Sequence, residues 1–415
     1  MDKLYVKNCK KLSGSVDISC AKNSYLAIMA GVLLTDEKIT LHKLPNLRDI
    51  KTMNKLLQEV GVKISNQGKS FDYVSNDINN LVAPYELVKT MRASILLLGP
   101  LLTRFNKVKV SLPGGCAIGQ RPIDIHLDAL IKMGAKIEID KGYVIAETDG
   151  LIGTHITFPF PSVGATENLL MAAVLAKGET ILDNVALEPE IEDLCKFLNT
   201  LGAKITGVGT KTLTIKGVSK LNGGEYQAIG DRIEAGTFII AALMTKSEIT
   251  INDINPSHLD SFIEILKTAG ANILCSDNSI KVLISKLKPF VIDTAPFPGF
   301  PTDLQAQMTS LATIIDGTSI VSEHIFENRF MHIPELVRMG ASIQLKSNSA
   351  IITGSDLNSA PVMCTDLRAS AALILAALVT PGETEIRRVY HLDRGYENIE
   401  GKLTKLGVEI KRVNE

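Results

Sequence analysis

Two kinds of helical segment alternate along the chain. One kind is amphipathic, with apolar residues at helical spacing, as at Ile50, Met53 and Leu57. The other kind lacks a polar face, which predicts helices that are buried on all sides. The six segments without a polar face span residues 24–34, 91–102, 166–176, 233–244, 303–315 and 367–379. Each is followed by a turn and a β-rich run, so the pattern predicts an α/β protein in which strands separate the helices.

A glycine follows each amphipathic segment and is itself followed, three residues later, by an isoleucine. The six glycines are Gly61, Gly134, Gly202, Gly270, Gly340 and Gly407, which are 73, 68, 68, 70 and 67 residues apart. Glycine at this place is typical of a helix C-cap that leads into a strand. The spacing predicts six pseudo-repeats of strand, buried helix, strand, amphipathic helix and one or two strands. A solenoid is the alternative, but these repeats are longer than common solenoid units.

Six repeats predict two globular halves of three repeats each. The glycine-rich stretch 223–230, between the third and fourth repeats, is the expected junction. The strand at 11–19 has no partner in a simple count, so we expect it to join the second half. The predicted domains are 22–228, and 1–21 together with 229–415, with a ligand cleft between them.

Composition and charge exclude several classes of protein. The 415 residues include 44 Lys and Arg against 45 Asp and Glu, so no overall field attracts nucleic acid or an anionic membrane. The longest apolar run, 369–379, is too short to span a bilayer, and the first residues contain no apolar signal core. We therefore expect a cytoplasmic protein with neither a nucleic-acid nor a membrane partner.

Cofactor and metal motifs are missing from the sequence. The six cysteines form no Cys-x-x-Cys pair, which argues against a disulfide framework or a zinc site. No Walker or Gly-x-Gly-x-x-Gly motif occurs, and no histidine pair has convincing metal-ligand spacing. We predict that the protein uses no cofactor and no metal.

The loop at 112–122 carries the most unusual chemistry. Three glycines lie between two prolines, and the thiol of Cys116 precedes Arg121 by five residues. A cysteine exposed beside positive charge has a stabilised thiolate, so Cys116 is a candidate nucleophile or proton donor. Cys195 lies in an apolar helical stretch and is interpreted as a packed small hydrophobic residue.

Charged residues recur at the starts of the buried helices. They are Lys22, Arg92, Arg232 and Arg368, with Asp303 at that place in the fifth repeat. A cation opposes the dipole at a helix N-terminus unless an anion lies there too, so the pattern favours a ligand with several phosphates or carboxylates. The alternative is that each cation pairs with a surface carboxylate. For the loop residues Arg329 and Arg394, the sequence alone leaves both readings open.

These residues stand in motifs that resemble a known family across nearly the whole chain. The motifs are Ala21-Lys22-Asn23, Met91-Arg92-Ala93-Ser94, Pro113 to Gly119 with Arg121-Pro122, Ser162-Val163-Gly164, Asp231-Arg232, Pro301-Thr302-Asp303, Phe326 to Phe330, Asp366-Leu367-Arg368 and Asp393-Arg394-Gly395-Tyr396. The sequence closely resembles the bacterial UDP-N-acetylglucosamine 1-carboxyvinyltransferases, and the form of 161–164 resembles Gram-positive members. Enolpyruvylshikimate phosphate synthases share the fold but lack the Pro-Gly-Gly-Cys loop.

The resemblance implies a fold and a reaction. The fold is two inside-out α/β domains, each of three βαβαββ repeats, around a ligand cleft. The reaction transfers the enolpyruvyl group of phosphoenolpyruvate to the 3-hydroxyl of UDP-N-acetylglucosamine, in the first committed step of peptidoglycan synthesis. The alternatives are a shikimate-pathway relative and a catalytically silent paralogue. The expected oligomeric state is a monomer.

The resemblance also implies residue roles. Cys116 is the expected acid, the carrier of a phosphoenolpyruvate adduct and the target of fosfomycin, and Asp303 is the expected base. Lys22, Asn23, Arg121 and Arg394 are expected at phosphoenolpyruvate, where Lys22 and Arg394 are also expected to be catalytic. Arg329, Asp366 and Arg368 are expected around the cleft. The expected UDP-sugar contacts are Arg92, Arg121, Pro122, Ile123, Asp124, Ile125, Ser162, Val163, Gly164, Asp303 and Ile325. Two departures from the family pattern are Cys20, where many members have glycine, and Phe160, where some have lysine.

Overall fold

The computed structural model describes residues 2–89, 91–112 and 123–414, and these form two compact units. One unit is built from the described residues between 20 and 229, and the other from residues 2–19 and 230–414. Among the sequence-predicted site residues, Cys116, Arg121 and Pro122 lie outside the described ranges. Each unit has its own continuous hydrophobic core.

Six apolar helices, here called the inner helices, form the centres of the two cores. They are Lys22–Gly31, Leu98–Phe105, Val163–Ala173, Arg232–Met244, Gln305–Ala312 and Leu367–Val379. Three are extended by 3-10 turns, at Val32–Leu34, Arg92–Leu97 and Thr302–Leu304. Every residue of Arg232–Met244 is buried, which confirms the prediction made from the missing polar face.

Six amphipathic helices, here called the outer helices, each have exposed residues as well as buried ones. They are Arg48–Glu59, Asp124–Lys132, Pro189–Thr200, Asp260–Thr268, Ile333–Arg338 and Ile399–Lys405. The repeated glycine after each has φ between +94° and +108°, which an L side chain adopts only with strain. The predicted C-cap glycines are therefore confirmed. Shorter helical turns lie at Tyr85–Val88, Pro256–Leu259 and Val389–Arg394.

In the described ranges, the strands form six four-stranded sheets with one shared pattern, in which the first strand is parallel to the second and the remaining pairs are antiparallel. In spatial order, the sheets of the unit at 20–229 are Gly224–Tyr226, Ile39–Leu41, Ser70–Val74, Lys63–Gln67; Val82–Ala83, Lys107–Ser111, Tyr143–Glu147, Lys136–Asp140; and His155–Thr157, Glu179–Asp183, Thr212–Lys216, Lys204–Thr206. Those of the other unit are Ser13–Asp17, Glu248–Asn252, Ser279–Leu283, Asn272–Ser276; Val291–Asp293, Thr318–Ser322, Ser349–Thr353, Ser342–Lys346; and Val362–Met363, Glu383–Arg387, Lys3–Lys7, Ile410–Val413.

Two strands near the start of the chain complete sheets made from much later residues. Lys3–Lys7 pairs with Glu383–Arg387 on one side and with Ile410–Val413 on the other. Ser13–Asp17, within the strand expected at 11–19, pairs in parallel with Glu248–Asn252. The strand at Lys3–Lys7 was not predicted, because its partners are about as distant in sequence as the chain allows.

One glycine makes a contact between inner helices that tolerates no side chain. A Cβ on Gly99 would lie 2.3 Å from the carbonyl oxygen of Asn168, whose Oδ1 accepts the Gly99 N–H at 2.6 Å. Because overpacking of this kind forces helices apart, we expect Gly99→Ala to lower the free energy of unfolding by about 3 kcal/mol. Urea denaturation measures this change.

Gly134→Ala is the matched comparison, because a Cβ there meets no atom within 4 Å and only the backbone at φ +97° is strained. We expect it to cost about 1 kcal/mol. Equal losses in the two variants would contradict the packing role of Gly99.

Within the described ranges, no helix has both the length and the apolar character that crossing a membrane requires.

Candidate active site

In the unit of 2–19 and 230–414, two arginines hold one carboxylate between them. Asp303 lies in the 3-10 turn that precedes the inner helix Gln305–Ala312. Its Oδ1 accepts a hydrogen bond from Nη2 of Arg329 at 2.6 Å, and its Oδ2 accepts one from Nη2 of Arg368 at 2.9 Å. The arginine side chains are 6% and 4% exposed and the aspartate 28%, so the carboxylate is the part of this group that solvent reaches.

The two arginines determine the protonation state of Asp303. Burial raises the pKa of its carboxyl, but the guanidiniums of Arg368 and Arg329 lower it by more, and the pKa lies well below its ordinary value. The carboxylate is therefore ionised at neutral pH. It is also a weak base for as long as both ion pairs persist.

The position of Arg368 is fixed by neighbours on two sides. Asp366 caps the inner helix Leu367–Val379, and its Oδ1 accepts the N–H of Arg368 at 2.7 Å. The Arg368 guanidinium lies 5.6 Å from the ring centroid of Tyr396, a cation–π distance. The hydroxyl of Tyr396 is 2.9 Å from the hydroxyl of Thr237 and accepts Nε2 of Gln307 at 3.1 Å. Arg394, half-buried, ends the helical turn Val389–Arg394, two residues before Tyr396.

In the unit at 20–229, a buried ion pair holds the lysine at the start of the first inner helix. Nζ of Lys22 lies 3.4 Å from Oδ2 of Asp49, and the two side chains are 9% and 5% exposed. Asn23, the next residue, is exposed. The carboxylate partners of Lys22 and Arg368 are buried or partly buried, so the alternative of surface ion pairs does not describe these two cations.

Two helix starts that carry predicted UDP-sugar contacts meet in this same unit. Ile123 and Asp124 open the outer helix Asp124–Lys132, and Ser162 caps the inner helix Val163–Ala173 by accepting the N–H of Ala165. A Cβ on Gly164 would touch Cε1 of His126 at 3.5 Å, and Nδ1 of His126 lies 3.1 Å from Nδ2 of Asn168. The structure thus brings 123–126 and 162–164 together through His126. Arg92, half-buried, opens the 3-10 turn Arg92–Leu97.

Comparison with known proteins gives the family. The model of the family EPSP synthase (3-phosphoshikimate 1-carboxyvinyltransferase) matches residues 6–403. A UDP-N-acetylglucosamine 1-carboxyvinyltransferase of Hydrogenovibrio crunogenus is 52% identical over an alignment that covers the whole of both chains. One from Psychrobacter sp. is 50% identical, with the whole of this chain and 97% of the relative aligned. The chain belongs to the UDP-N-acetylglucosamine 1-carboxyvinyltransferase family.

Solved structures show the same fold as this chain. The enolpyruvyl transferase NikO from Streptomyces tendae superposes with a TM-score of 0.89 at 24% identity, covering 99% of this chain and 98% of its own. An EPSP synthase from Acinetobacter baumannii has a TM-score of 0.77 at 19% identity, with both chains fully covered. The predicted fold class, inside-out α/β domains of three βαβαββ repeats, is confirmed, as is the prediction of a transferase.

Two buried carboxylates in this family member were missed in the sequence. Asp49 shares one face of its helix with Met53 and Leu56, and an acid on an apolar face is a signal of a buried partner. Glu323 follows the strand Thr318–Ser322, and its sequence neighbours give no comparable signal. Both become significant only when the packing of the unit is known.

Proposed function

We propose that this chain transfers the enolpyruvyl group of phosphoenolpyruvate to the 3-hydroxyl of UDP-N-acetylglucosamine, with release of phosphate, in the first committed step of peptidoglycan synthesis. The observation that carries the proposal is identity of 50% to 52%, along the full chain, to proteins that bear this enzyme's name. The shikimate enzymes match at 18% to 19%. We place the enzyme in the cytoplasm and expect it to work as a monomer on these two small molecules.

The reaction defines the groups that the site must supply. In the addition step, the methylene carbon of phosphoenolpyruvate gains a proton, the sugar oxygen bonds to the adjacent carbon, and the hydroxyl proton leaves. In the elimination step, the bond to the phosphate oxygen breaks and the methyl carbon returns a proton, which restores the double bond. One acid, one base and a set of cations for the phosphate and carboxylate are sufficient. No cofactor enters this balance.

We assign the base to Asp303 and the acid to Cys116. The exposure of the Asp303 carboxylate and its ionisation at neutral pH support the first assignment. Because its pKa is lowered by Arg368 and Arg329, the carboxylate accepts a proton efficiently only when these arginines loosen their hold. A multiply charged intermediate offers them a competing anion, so proton removal and stabilisation of the intermediate are coupled in this proposal.

We assign anion binding to the cations at the helix starts and loops. Lys22, Asn23, Arg121 and Arg394 bind phosphoenolpyruvate in this proposal, and the ion pair with Asp49 keeps the Lys22 ammonium in place. The UDP-sugar is bound by Arg92, by the helix starts that meet through His126, by 121–122, and by Asp303 and Ile325. The support for the helix starts is that the positive dipole end of a helix favours an anion such as diphosphate. The two units act as the two catalytic domains in this proposal, and their limits differ by one or two residues from the 22–228, and 1–21 with 229–415, expected from the sequence.

Release of phosphate from phosphoenolpyruvate tests this function directly. We expect release with UDP-N-acetylglucosamine as the acceptor and none with shikimate 3-phosphate, measured with the same enzyme under the same conditions. Release with shikimate 3-phosphate would instead favour the shikimate reaction. Release with neither acceptor would contradict catalysis and favour a silent paralogue.

A further inference from the structure

Glu323 departs from the repeat pattern at the end of a strand. In three repeats, the residue just after the second strand of the sheet has a left-handed backbone with φ between +57° and +61°; these residues are Asn184, Asp253 and Arg388, and in the first repeat Lys43, two residues after its strand, is left-handed too. Glu323 occupies the same place in the fifth repeat and is not among the left-handed residues. Its side chain is buried, with only 4% of the residue exposed. The chain therefore leaves this strand differently and enters the segment that carries Ile325 and Arg329.

The Glu323 carboxylate joins three segments of its unit. Oε1 accepts the hydroxyl of Thr294 at 2.9 Å and the backbone N–H groups of Ile325 and Phe326 at 2.8 Å and 3.2 Å. Oε2 accepts the hydroxyl of Thr302 at 2.7 Å. All four of these partners are neutral donors. Glu323 therefore supplies them with hydrogen-bond acceptors in fixed positions.

Two routes lead from these contacts to Asp303. Thr302, bound through its hydroxyl, is the residue that precedes Asp303. Phe326, bound through its N–H, places its ring 5.3 Å from the guanidinium of Arg329, which donates to Asp303 at 2.6 Å. A third contact fixes Ile325 itself. One buried carboxylate thus sets the position of the proposed base, of one arginine beside it and of a proposed UDP-sugar contact.

We propose that Glu323 is a positioning residue for the transfer reaction, which acts by hydrogen bonding on Ile325 and Asp303 and touches neither substrate. This inference rests on the proposed function, because the positions it fixes matter for catalysis only if the UDP-sugar binds there. Since a displacement of about 1 Å costs up to about 100-fold in rate, loss of these four hydrogen bonds is expected to be visible in kinetics.

Two substitutions at Glu323 separate hydrogen bonding from charge. Glu323→Gln keeps one oxygen that accepts from Thr294, Ile325 and Phe326. Its NH₂ group donates to the Thr302 hydroxyl, which is the donor in the wild type and becomes the acceptor in this variant. We expect Glu323→Gln to keep at least about one third of kcat/KM for UDP-N-acetylglucosamine, and Glu323→Ala to lose about 100-fold. Asp253→Asn, at the same place in the fourth repeat, is the control and is expected to leave activity unchanged.

A second pair of variants separates the two routes. Thr302→Val removes only the contact beside Asp303 and leaves the one to Ile325, so we expect a lower kcat, with a smaller increase in the dissociation constant for UDP-N-acetylglucosamine than in Glu323→Ala, and recovery in Thr302→Ser. Glu323→Ala is expected to weaken UDP-sugar binding, measured by calorimetry without phosphoenolpyruvate. Thermal unfolding of each variant identifies a loss of fold.

The outcomes distinguish this inference from the proposed function. If the wild type is active and folded Glu323→Ala matches it, the inference is wrong and the proposed function stands. The same follows if folded Glu323→Gln is as impaired as Glu323→Ala, because charge would then be the property that matters. A wild type that neither releases phosphate nor binds UDP-N-acetylglucosamine overturns both.

Discussion

Asp303→Asn is expected to lower kcat by about 100- to 1000-fold, which lies within the range for loss of a positioned general base. The amide cannot take the proton of the sugar hydroxyl, and it presents one oxygen where Arg329 and Arg368 now share two. Steady-state phosphate release measures the loss. Asp316→Asn, an exposed carboxylate of the same unit, is the control and should retain full activity.

The same substitution has an expected effect on stability that depends on pH. The pKa of Asp303 is lower in the folded than in the unfolded chain, so its stabilising contribution is present above the unfolded pKa of about 4 and is lost as pH falls below it. Removing one partner of a buried ion pair costs about 3 kcal/mol. Asp303→Asn should therefore be destabilised at pH 7, and the difference from wild type should shrink below pH 4. For the kinetic prediction above, an Asp303→Asn variant that keeps more than a tenth of the wild-type kcat would contradict the assignment of Asp303 as the base.

Cys116→Ala is expected to abolish phosphate release, with a loss of about 1000-fold or more, because alanine cannot deliver a proton to the methylene carbon. It is also expected to abolish modification by fosfomycin, which the family resemblance predicts at this thiol. Intact-protein and peptide mass spectrometry, at saturating drug and UDP-N-acetylglucosamine, locates the adduct.

Other thiols provide the controls for this experiment. Cys275 is exposed and Cys20 is buried, so Cys275→Ala tests whether exposure alone permits modification. We expect Cys275→Ala to be modified and active like the wild type. An adduct on Cys20 or Cys275 but not on Cys116, or full activity in Cys116→Ala, would require a different proton donor.

The sequence predicts local features of this molecule better than distant ones. Helices such as Arg232–Met244 and the C-cap glycines depend on nearby residues, so hydrophobic periodicity and one residue type identify them. The strand Lys3–Lys7 pairs with residues about 400 positions away, and no local pattern gives that partner. The β-propensity of a strand also says little about its neighbours.

The candidate site divides in the same way. The cations at the helix starts and Asp303 were found because the repeats place them at equivalent positions. Asp49 and Glu323 were not identified from the sequence, because an acidic residue is ordinarily a surface residue. Only tertiary packing brings the Asp49 carboxylate to Lys22 and the Glu323 carboxylate to two backbone amides. The catalytic and binding roles of all the site residues stay predictions, and those in 113–122 also lie outside the described residues.

Lys3–Lys7 and Ser13–Asp17 each pair with strands that are synthesised much later, and this sets an order of folding events during protein synthesis. The unit at 20–229 contains all of its own strands, so it can fold on the ribosome before the rest is made. Ser13–Asp17 cannot pair until Glu248–Asn252 has been translated, and Lys3–Lys7 cannot complete its sheet until Ile410–Val413 has been translated. The second wait takes on the order of 20 s or more at roughly 5–20 residues per second. For that time Leu4 and Val6, which are fully buried in the finished sheet, have no core to enter. A strand that is synthesised early is thus among the last to be secured in its sheet.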